Sequence, residues 1–400
     1  MYTPPDPGSS EDETSTHTQR GPRYVPIYPY GHARRAFQKR DFTKVLELLK
    51  PTIEKSIAPP AMVALFGRAA AEAQDDPMIA WWFDGLDPNV TEFADYWAAV
   101  GMLELMGQRY ESAARALGEA VSRDPTDLAS VSRMRQAMGS LGKDGDAQRW
   151  FDRWTAIRGT VDANNRVAKD QVPDRESVNL LASKLEALDR SLEALLWRAT
   201  VARGESGIEA AKTLNQRHKE LVANGQGFPN VASRLCGMDL QRYPLPAHSE
   251  LVSNVKDGWR TTDDSSGGEV IPASFADVAD SIGLRHTFRV AGQPQEQRFA
   301  IYQTLGGGVA VLDYDLDGRS DLYFAQGAAD PPNFQVRRSN QLLRNLIAKV
   351  IDTSVSAKVA VSQYSMGLTA GDWNQDGFPD LGIASIGKCV LLINNGDGTF

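Results

Sequence analysis

A nine-residue acidic pattern occurs twice near the C-terminal end of this chain, and it limits the local fold more tightly than any other feature. The copies run from Asp313 to Asp321 and from Asp372 to Asp380. Oxygen-bearing side chains stand at positions 1, 3, 5 and 9 of each: Asp313, Asp315, Asp317 and Asp321 in the first, Asp372, Asn374, Asp376 and Asp380 in the second. A glycine at position 6, Gly318 or Gly377, permits a sharp turn. Such a loop can wrap one hard cation that takes 6–8 oxygens at about 2.3–2.6 Å, and calcium (Ca2+) is the natural occupant. The backbone carbonyls at position 7, of Arg319 and Phe378, are expected to complete the coordination. An EF-hand needs a glutamate at position 12 and a helix on each side, whereas position 12 is Phe324 in one copy and Ile383 in the other. Apolar runs of strand character flank the first loop, Val309 to Leu312 before it and Leu322 to Phe324 after it, so strand-loop-strand sites are predicted. A single Asp-rich turn is as well explained by a solvated hairpin. Two copies in one register are not.

The second copy begins 59 residues after the first, at 372 against 313, and Gly308 to Asp315 overlies Gly367 to Asn374 without a gap. Downstream, Leu342 to Asn345 matches Leu391 to Asn394 and reads as the rising strand of a hairpin; in the second copy the turn is Asn395-Gly396-Asp397-Gly398, a strong hairpin signal. Units of roughly 40–60 residues with several short strands are the mark of propeller blades. The stretches Phe275 to Ala279, Gly308 to Gly318 and Asn394 to Phe400 resemble the FG-GAP/VCBS repeat family, and most closely its cartilage-acidic-protein-like (ASPIC/UnbV-associated) group. The resemblance covers roughly residues 272–400. It implies an integrin-α-type β-propeller whose Asp-rich loops bind calcium, with ligand roles for the eight side chains named above. Two departures stand out. Asn345 is followed by Leu346, Ile347, Ala348 and Lys349 where the family has Gly-Asp-Gly, which predicts a remodelled outer turn. Asn374 removes one negative charge, which predicts a second loop weaker than the first. A propeller closes with about 4–8 blades and two loops are present, so the chain is expected to be the N-terminal part of a longer polypeptide.

Upstream the pattern changes to helix-period apolar residues broken by short polar turns. One segment fits the 34-residue tetratricopeptide (TPR) pattern, with Trp97, Gly101, Tyr110, Ala113, Leu117, Ala120 and Pro125 at the expected positions. Gly101 and Ala113 would let the two helices of a hairpin approach closely, and Pro125 would start the next helix behind Asp124 as its N-cap. Ala147 and Phe151 recur 34 residues after Ala113 and Leu117, making a tandem pair, with less regular units around 36–42, 63–86 and 180–221. The fold class that follows is multidomain: an N-terminal all-α solenoid of TPR-like helix hairpins and a C-terminal all-β, partial β-propeller with calcium loops. The divisions are a disordered polar tail at 1–30, the solenoid at 31–242, a Pro-, Ser-, Asp- and Gly-rich linker at 243–271, and the blades at 272–400. Trp81, Trp82, Trp150, Trp154 and Trp197 could anchor a ligand in a groove, but aromatics at helical spacing are more often core.

With 400 residues, 42% hydrophobic and 24% charged, the chain has material for two or three ordinary domains. A net charge of −8 argues against nucleic acid as a partner. No apolar run approaches the 18 or more residues of a membrane span. The start of the sequence lacks the basic and apolar segments of a signal peptide. Calcium loops work best where free calcium is high, so an extracellular, periplasmic or cell-surface place is favoured, with the cytoplasm left open. Cys236 and Cys389 are the only cysteines, and a bond between them is unmotivated.

Catalytic patterns are missing from the sequence: it has no Gly-x-Ser-x-Gly elbow, no phosphate-binding Gly-Lys-Ser/Thr loop and no His-Glu-x-x-His pair. Gly306-Gly307-Gly308 superficially suggests a dinucleotide loop, but a cation loop follows it rather than a helix, so close backbone packing is expected there. No residue is assigned a catalytic or organic-cofactor role. The preferred reading is a calcium-binding, non-catalytic interaction protein whose helical repeats hold a protein and whose blades meet a protein or a glycan. The alternative is the N-terminal part of a carbohydrate-active or hydrolytic enzyme with catalytic residues beyond Phe400.

Overall fold

A computed structural model describes residues 26–55, 58–84, 86–169, 174–202, 207–225, 227–246, 276–289, 306–327, 338–387 and 389–400. Its described part has an N-terminal helical region and a C-terminal region of two small antiparallel sheets. The helices are α1 (Tyr30–Gln38), α2 (Phe42–Lys55), α3 (Pro60–Ala73), α4 (Asp76–Phe83), α5 (Ala94–Met106), α6 (Tyr110–Arg123), α7 (Leu128–Ser140), α8 (Asp144–Lys169), α9 (Arg175–Glu186), α10 (Ser191–Ala202), α11 (Gly207–Ala223) and the single turn α12 (Val231–Arg234). Packing is mostly between sequence neighbours: α1 on α2, α2 on α3, α3 on α5, and then each helix on the next as far as α11. Stacks of this kind are stabilised by neighbour interfaces rather than by one closed core.

Small residues set the spacing inside this stack. A Cβ on Gly101 in α5 would lie 2.7 Å from Leu117 Cγ in α6, so the close approach expected from the sequence is present, with Ala113 and Leu117 fully buried. Gly67 in α3 does the same for Trp82, whose indole N–H donates to the Val63 carbonyl at 2.9 Å. Trp82 and Trp150 are buried, while Trp81, Trp154 and Trp197 pack partly buried against the helical cores. Two details depart from expectation. The N-cap of α7 is Asp127, which accepts from the N–H groups of Ala129 and Ser130; Asp124 instead closes the preceding turn by accepting from Thr126. Three residues of turn separate Asp124 from the helix that Pro125 was expected to open. In α8, Phe151 is 41% exposed and stacks on Trp154, because Trp150 takes the core position.

The first sheet has the order β1 (Val309–Leu312), β2 (Asp321–Phe324), β3 (Gln341–Asn345), β4 (Val350–Asp352), and the second β5 (Ser365–Gly371), β6 (Asp380–Ser385), β7 (Cys389–Leu392), all antiparallel. The described strands form no closed barrel or propeller. Gly308 lets β1 approach β5: a Cβ there would meet the Leu368 nitrogen at 2.7 Å. This is the close packing predicted for the glycine run, at its last residue. Between the sheets lies a core built on Leu312, Tyr314, Tyr323, Leu342, Leu381 and Ile383, each such large side chain contributing about 1.5–3 kcal/mol by leaving water. In the β3–β4 turn Ile347 takes a left-handed φ of 68° and is 76% exposed, a conformation that costs a β-branched residue about 1–2 kcal/mol.

The helical and sheet regions meet directly. Residues 26–29 precede α1, and although composition placed them in the tail, Ile27 donates its N–H to the Asp397 carbonyl at 3.0 Å. A Cβ on Gly31 would sit 2.0 Å from that same carbonyl oxygen. Arg35 reaches the Asp397 carboxylate at 2.5 Å, and Arg34 lies over the Phe378 ring, 4.8 Å from its centroid. The turn at 395–398, predicted as the outer turn of a hairpin, is therefore a docking point for α1, closed by Asn395 N–H to the Thr399 carbonyl at 2.8 Å. Tyr243, the first residue of the expected linker, is buried, and its hydroxyl accepts from Lys143 at 2.7 Å. Residues 247–275 lie outside the described residues, as do 1–25, so most of the linker and tail assignments fall there, together with Phe275 of the family-like opening.

Candidate metal centre

The two acidic loops connect β1 to β2 and β5 to β6, and each begins one residue beyond a strand pair in matching register, Leu312 opposite Asp321 and Gly371 opposite Asp380. Their backbones are held by one hydrogen-bond scheme, repeated atom for atom. The position 1 carboxylate accepts from the N–H groups of positions 5 and 6: Asp313 from Asp317 (2.9 Å) and Gly318 (2.8 Å), Asp372 from Asp376 (3.1 Å) and Gly377 (2.9 Å). Position 5 accepts from the N–H of position 7, at 3.0 Å in both. Position 9 accepts from the N–H of position 2 and from the third strand or its end, Asp321 from Tyr314 (3.3 Å) and Asn345 (2.8 Å), Asp380 from Trp373 (2.7 Å) and Asn394 (2.8 Å). Positions 4 and 6 take left-handed φ values, 53° and 81° in the first loop and 63° and 88° in the second. Folding the chain around its own carboxylates thus satisfies N–H groups that a tight turn leaves without partners.

The structure brings Asp313, Asp315 and Asp317 together, with one carboxylate oxygen of each within 4.8 Å of the others. Among the described residues this is the one group of three or more carboxylate, thiol or imidazole side chains so placed. Asp321 is not part of that group, because both its oxygens face backbone N–H groups. In the second loop Asp372, Asp376 and Asp380 do not form such a cluster, and Asn374 donates its amide to Asp376 at 2.9 Å. The side chain of Arg319, expected to contribute through its carbonyl, binds the Asp317 carboxylate and donates through Nε to the Asn345 carbonyl at 3.0 Å. Phe378, its counterpart, sits buried beneath Arg34.

Asp315 is the most telling of these side chains. It is 4% exposed; Arg344 pairs with its Oδ2 at 2.5 Å, while Oδ1 accepts no hydrogen bond. Burial pushes its carboxyl up to about 6 against the pull of Arg344. Burial likewise raises Asp321 to about 8 and Asp380 to about 7, and drives Asp313 and Asp372 upward as well. Buried, mutually repelling carboxylates gain most from a cation that neutralises them all at once. The oxygen-only donor set and the unsatisfied Oδ1 of Asp315 fit a hard divalent ion.

Three residues that hold the site were not found by motif reading. Asn345 and Asn394 each give an N–H to position 9 and a side-chain amide to the carbonyl of position 8, Ser320 (3.2 Å) or Pro379 (3.2 Å). Asn394 also donates to the Tyr314 carbonyl at 2.9 Å, which ties the second unit to the first loop. Arg344 pairs with Asp315 and Asp317. The available signal was the matched tetrapeptides, in which the asparagines align and Arg344 stands against Ile393.

Both loops face the helices. Leu316 packs against the core of α1 to α5, and Trp373 meets Phe228 edge-on with centroids 5.8 Å apart. Behind Arg34 runs a buried charge network: Arg34 to Asp95 at 2.9 Å, Asp95 to Arg68 at 2.7 Å and Arg68 to the α7 cap Asp127 at 2.7 Å. A cleft of 1060 Å³ separates the two regions nearby, with Asp124, Glu193 and Trp197 on the helical side and Trp373, Asp376 and Asn395 on the other. Burial and neighbouring Asp127 raise the Asp124 carboxyl, while Arg68 holds Asp127 low despite burial. Among the described residues no helix is long and apolar enough to cross a membrane. The chain matches no protein-family model, no curated protein and no solved structure.

Proposed function

We propose that this chain is a calcium-stabilised, non-catalytic interaction protein. The two sheets are read as blades of an FG-GAP/VCBS-type propeller and the helical stack as a TPR-like solenoid. The reading is carried by Asp315, a buried carboxylate with one oxygen paired to Arg344 and the other accepting no hydrogen bond, set beside Asp313 and Asp317 so that the three carboxylates converge. Ligand roles go to Asp313, Asp315, Asp317 and Asp321, and to Asp372, Asn374, Asp376 and Asp380, with the carbonyls of Arg319 and Phe378. Calcium here is structural: it neutralises the clustered carboxylates and locks each loop. The helical stack holds a protein partner, and the blades present a surface to a second protein or a glycan. Work in a calcium-rich compartment outside the cytoplasm follows from loops of this kind.

The test is thermal unfolding of the purified chain with calcium, with magnesium and with chelator. At a hundredfold excess over Kd one site adds about 2.7 kcal/mol, so calcium should raise Tm by several degrees. Magnesium, which demands tight octahedral geometry and sheds water reluctantly, should add far less. Equal shifts, or none, would overturn the assignment.

A further inference from the structure

Three residues of the acidic loops whose side chains have no ligand role reach the helical stack. Leu316, at position 4 of the first loop, packs against the core shared by α1 to α5. Trp373, at position 2 of the second, meets Phe228 beyond α11 with ring centroids 5.8 Å apart. Phe378, at position 7 of the second, has its ring 4.8 Å beneath the Arg34 guanidinium, and Arg34 is itself held by Asp95 of α5 at 2.9 Å. Their places in the motif give the reason. Asp313, Asp315 and Asp317 converge on one another, so a residue standing between such groups is turned outward. Leu316 lies between Asp315 and Asp317, and Trp373 between Asp372 and Asn374. Leu316 keeps a left-handed φ of 53° in doing so, a conformation unfavourable to a residue with a Cβ. The side chains that meet the helices are therefore aimed by the same loop backbone that gathers the carboxylates.

We propose that the cation loops are the surface on which the helical stack docks, and that calcium tightens this junction by fixing the residues that stand between its ligands. This rests on the calcium reading above and extends it from the stability of each loop to the arrangement of the two regions. Without the ion, the converging charges of Asp313, Asp315 and Asp317 are offset in part by Arg344 and Arg319, and the remaining repulsion works against a single loop shape. Leu316 moves with the ligands on either side of it. A bound ion removes that repulsion and holds Leu316 in the helical core. Coupling of this kind is reciprocal, so docking of the helices strengthens calcium binding by the same factor, on the order of 5–150.

Hydrogen exchange of the full chain in calcium and in chelator tests this, with calcium titration calorimetry alongside and circular dichroism to check folding. Calcium should slow exchange in both loops and, by about fivefold or more, in α1. Leu316→Ala removes the packing and leaves every proposed ligand in place. Calorimetry of that variant should still show calcium bound, at reduced affinity, while the calcium-induced slowing in α1 shrinks severalfold. Slowing confined to the loops of the wild type would overturn the proposal and leave the calcium reading intact, as would undiminished slowing of α1 in Leu316→Ala. Should that variant fail to fold, the wild-type comparison decides alone. A chain that binds no calcium would overturn the calcium reading itself, and this inference with it.

Discussion

The loop at 313–321 and the loop at 372–380 have one backbone and two charge environments, and the contrast separates what the motif dictates from what its neighbours add. Hydrogen bonds from backbone N–H groups to the carboxylates at positions 1, 5 and 9 recur in both, to within a few tenths of an ångström except for the one donated by position 2. Spacing of Asp and Gly alone is therefore enough to specify the turn. Some of what differs lies within the nine residues, Arg319 on Asp317 in the first and Asn374 on Asp376 in the second, and the rest comes from outside them: Arg344 from β3 in the first, Ile393 after β7 in the second, and α1 lying over Phe378.

The largest effect should come from position 9. Asp380→Ala leaves the buried N–H groups of Trp373 and Asn394 without acceptors, at about 1–3 kcal/mol each. Asp321→Ala does the same to Tyr314 and Asn345. Chemical denaturation in chelator should register a loss of roughly 2–6 kcal/mol for either, and a loss confined to one loop would break the claim that the two backbones are equivalent. Next is Gly31→Ala, which drives a Cβ into the Asp397 carbonyl and should cost about 1–3 kcal/mol of packing. Hydrogen exchange should then rise at 394–400 and in the second loop more than in the first. Equal rises would mean that α1 supports both loops alike.

A pH series sharpens the comparison in another way. In the folded protein the buried carboxyls of Asp315, Asp321 and Asp380 are raised to about 6, 8 and 7, from 3.8. The folded state therefore holds more protons than the unfolded one between about pH 4 and pH 8, and without calcium its stability should fall as pH rises through that window. Calcium competes with those protons, so its stabilising increment should grow from pH 5.5 to pH 8. Thermal melts at several pH values, with and without calcium, give both slopes; a calcium increment that shrinks with pH would contradict the burial of these groups. The smallest expected effect is at position 6. Gly318→Ala and Gly377→Ala both place a Cβ in open space but at φ 81° and 88°, costing about 1–2 kcal/mol and by a similar amount in each loop.

Much of this was legible in the sequence. The strand-loop-strand form, the two copies and the close approach at Gly101 followed from local rules, because each depends on residues near one another in the chain. The helix expected behind Asp124 starts three residues later, because Asp124 is engaged by Thr126 and it is Asp127 that faces the free N–H groups of Ala129 and Ser130. Arg344 and the Asn345/Asn394 clamps were invisible to motif reading, since they reach the loops from a strand that the nine-residue pattern does not include. The contact between α1 and the turn at 395–398 joins residues more than 350 positions apart, and no pattern within either segment encodes it.

Diffraction from crystals grown in calcium, with anomalous scattering used to locate the ion, tests the central claim most directly. The expected result is an ion within each loop, bound by 6–8 oxygens at about 2.3–2.6 Å, with Asp313, Asp315 and Asp317 among the ligands of the first and Asp372, Asn374, Asp376 and Asp380 among those of the second. Ordered crystals in high calcium with no ion in either loop would contradict the account.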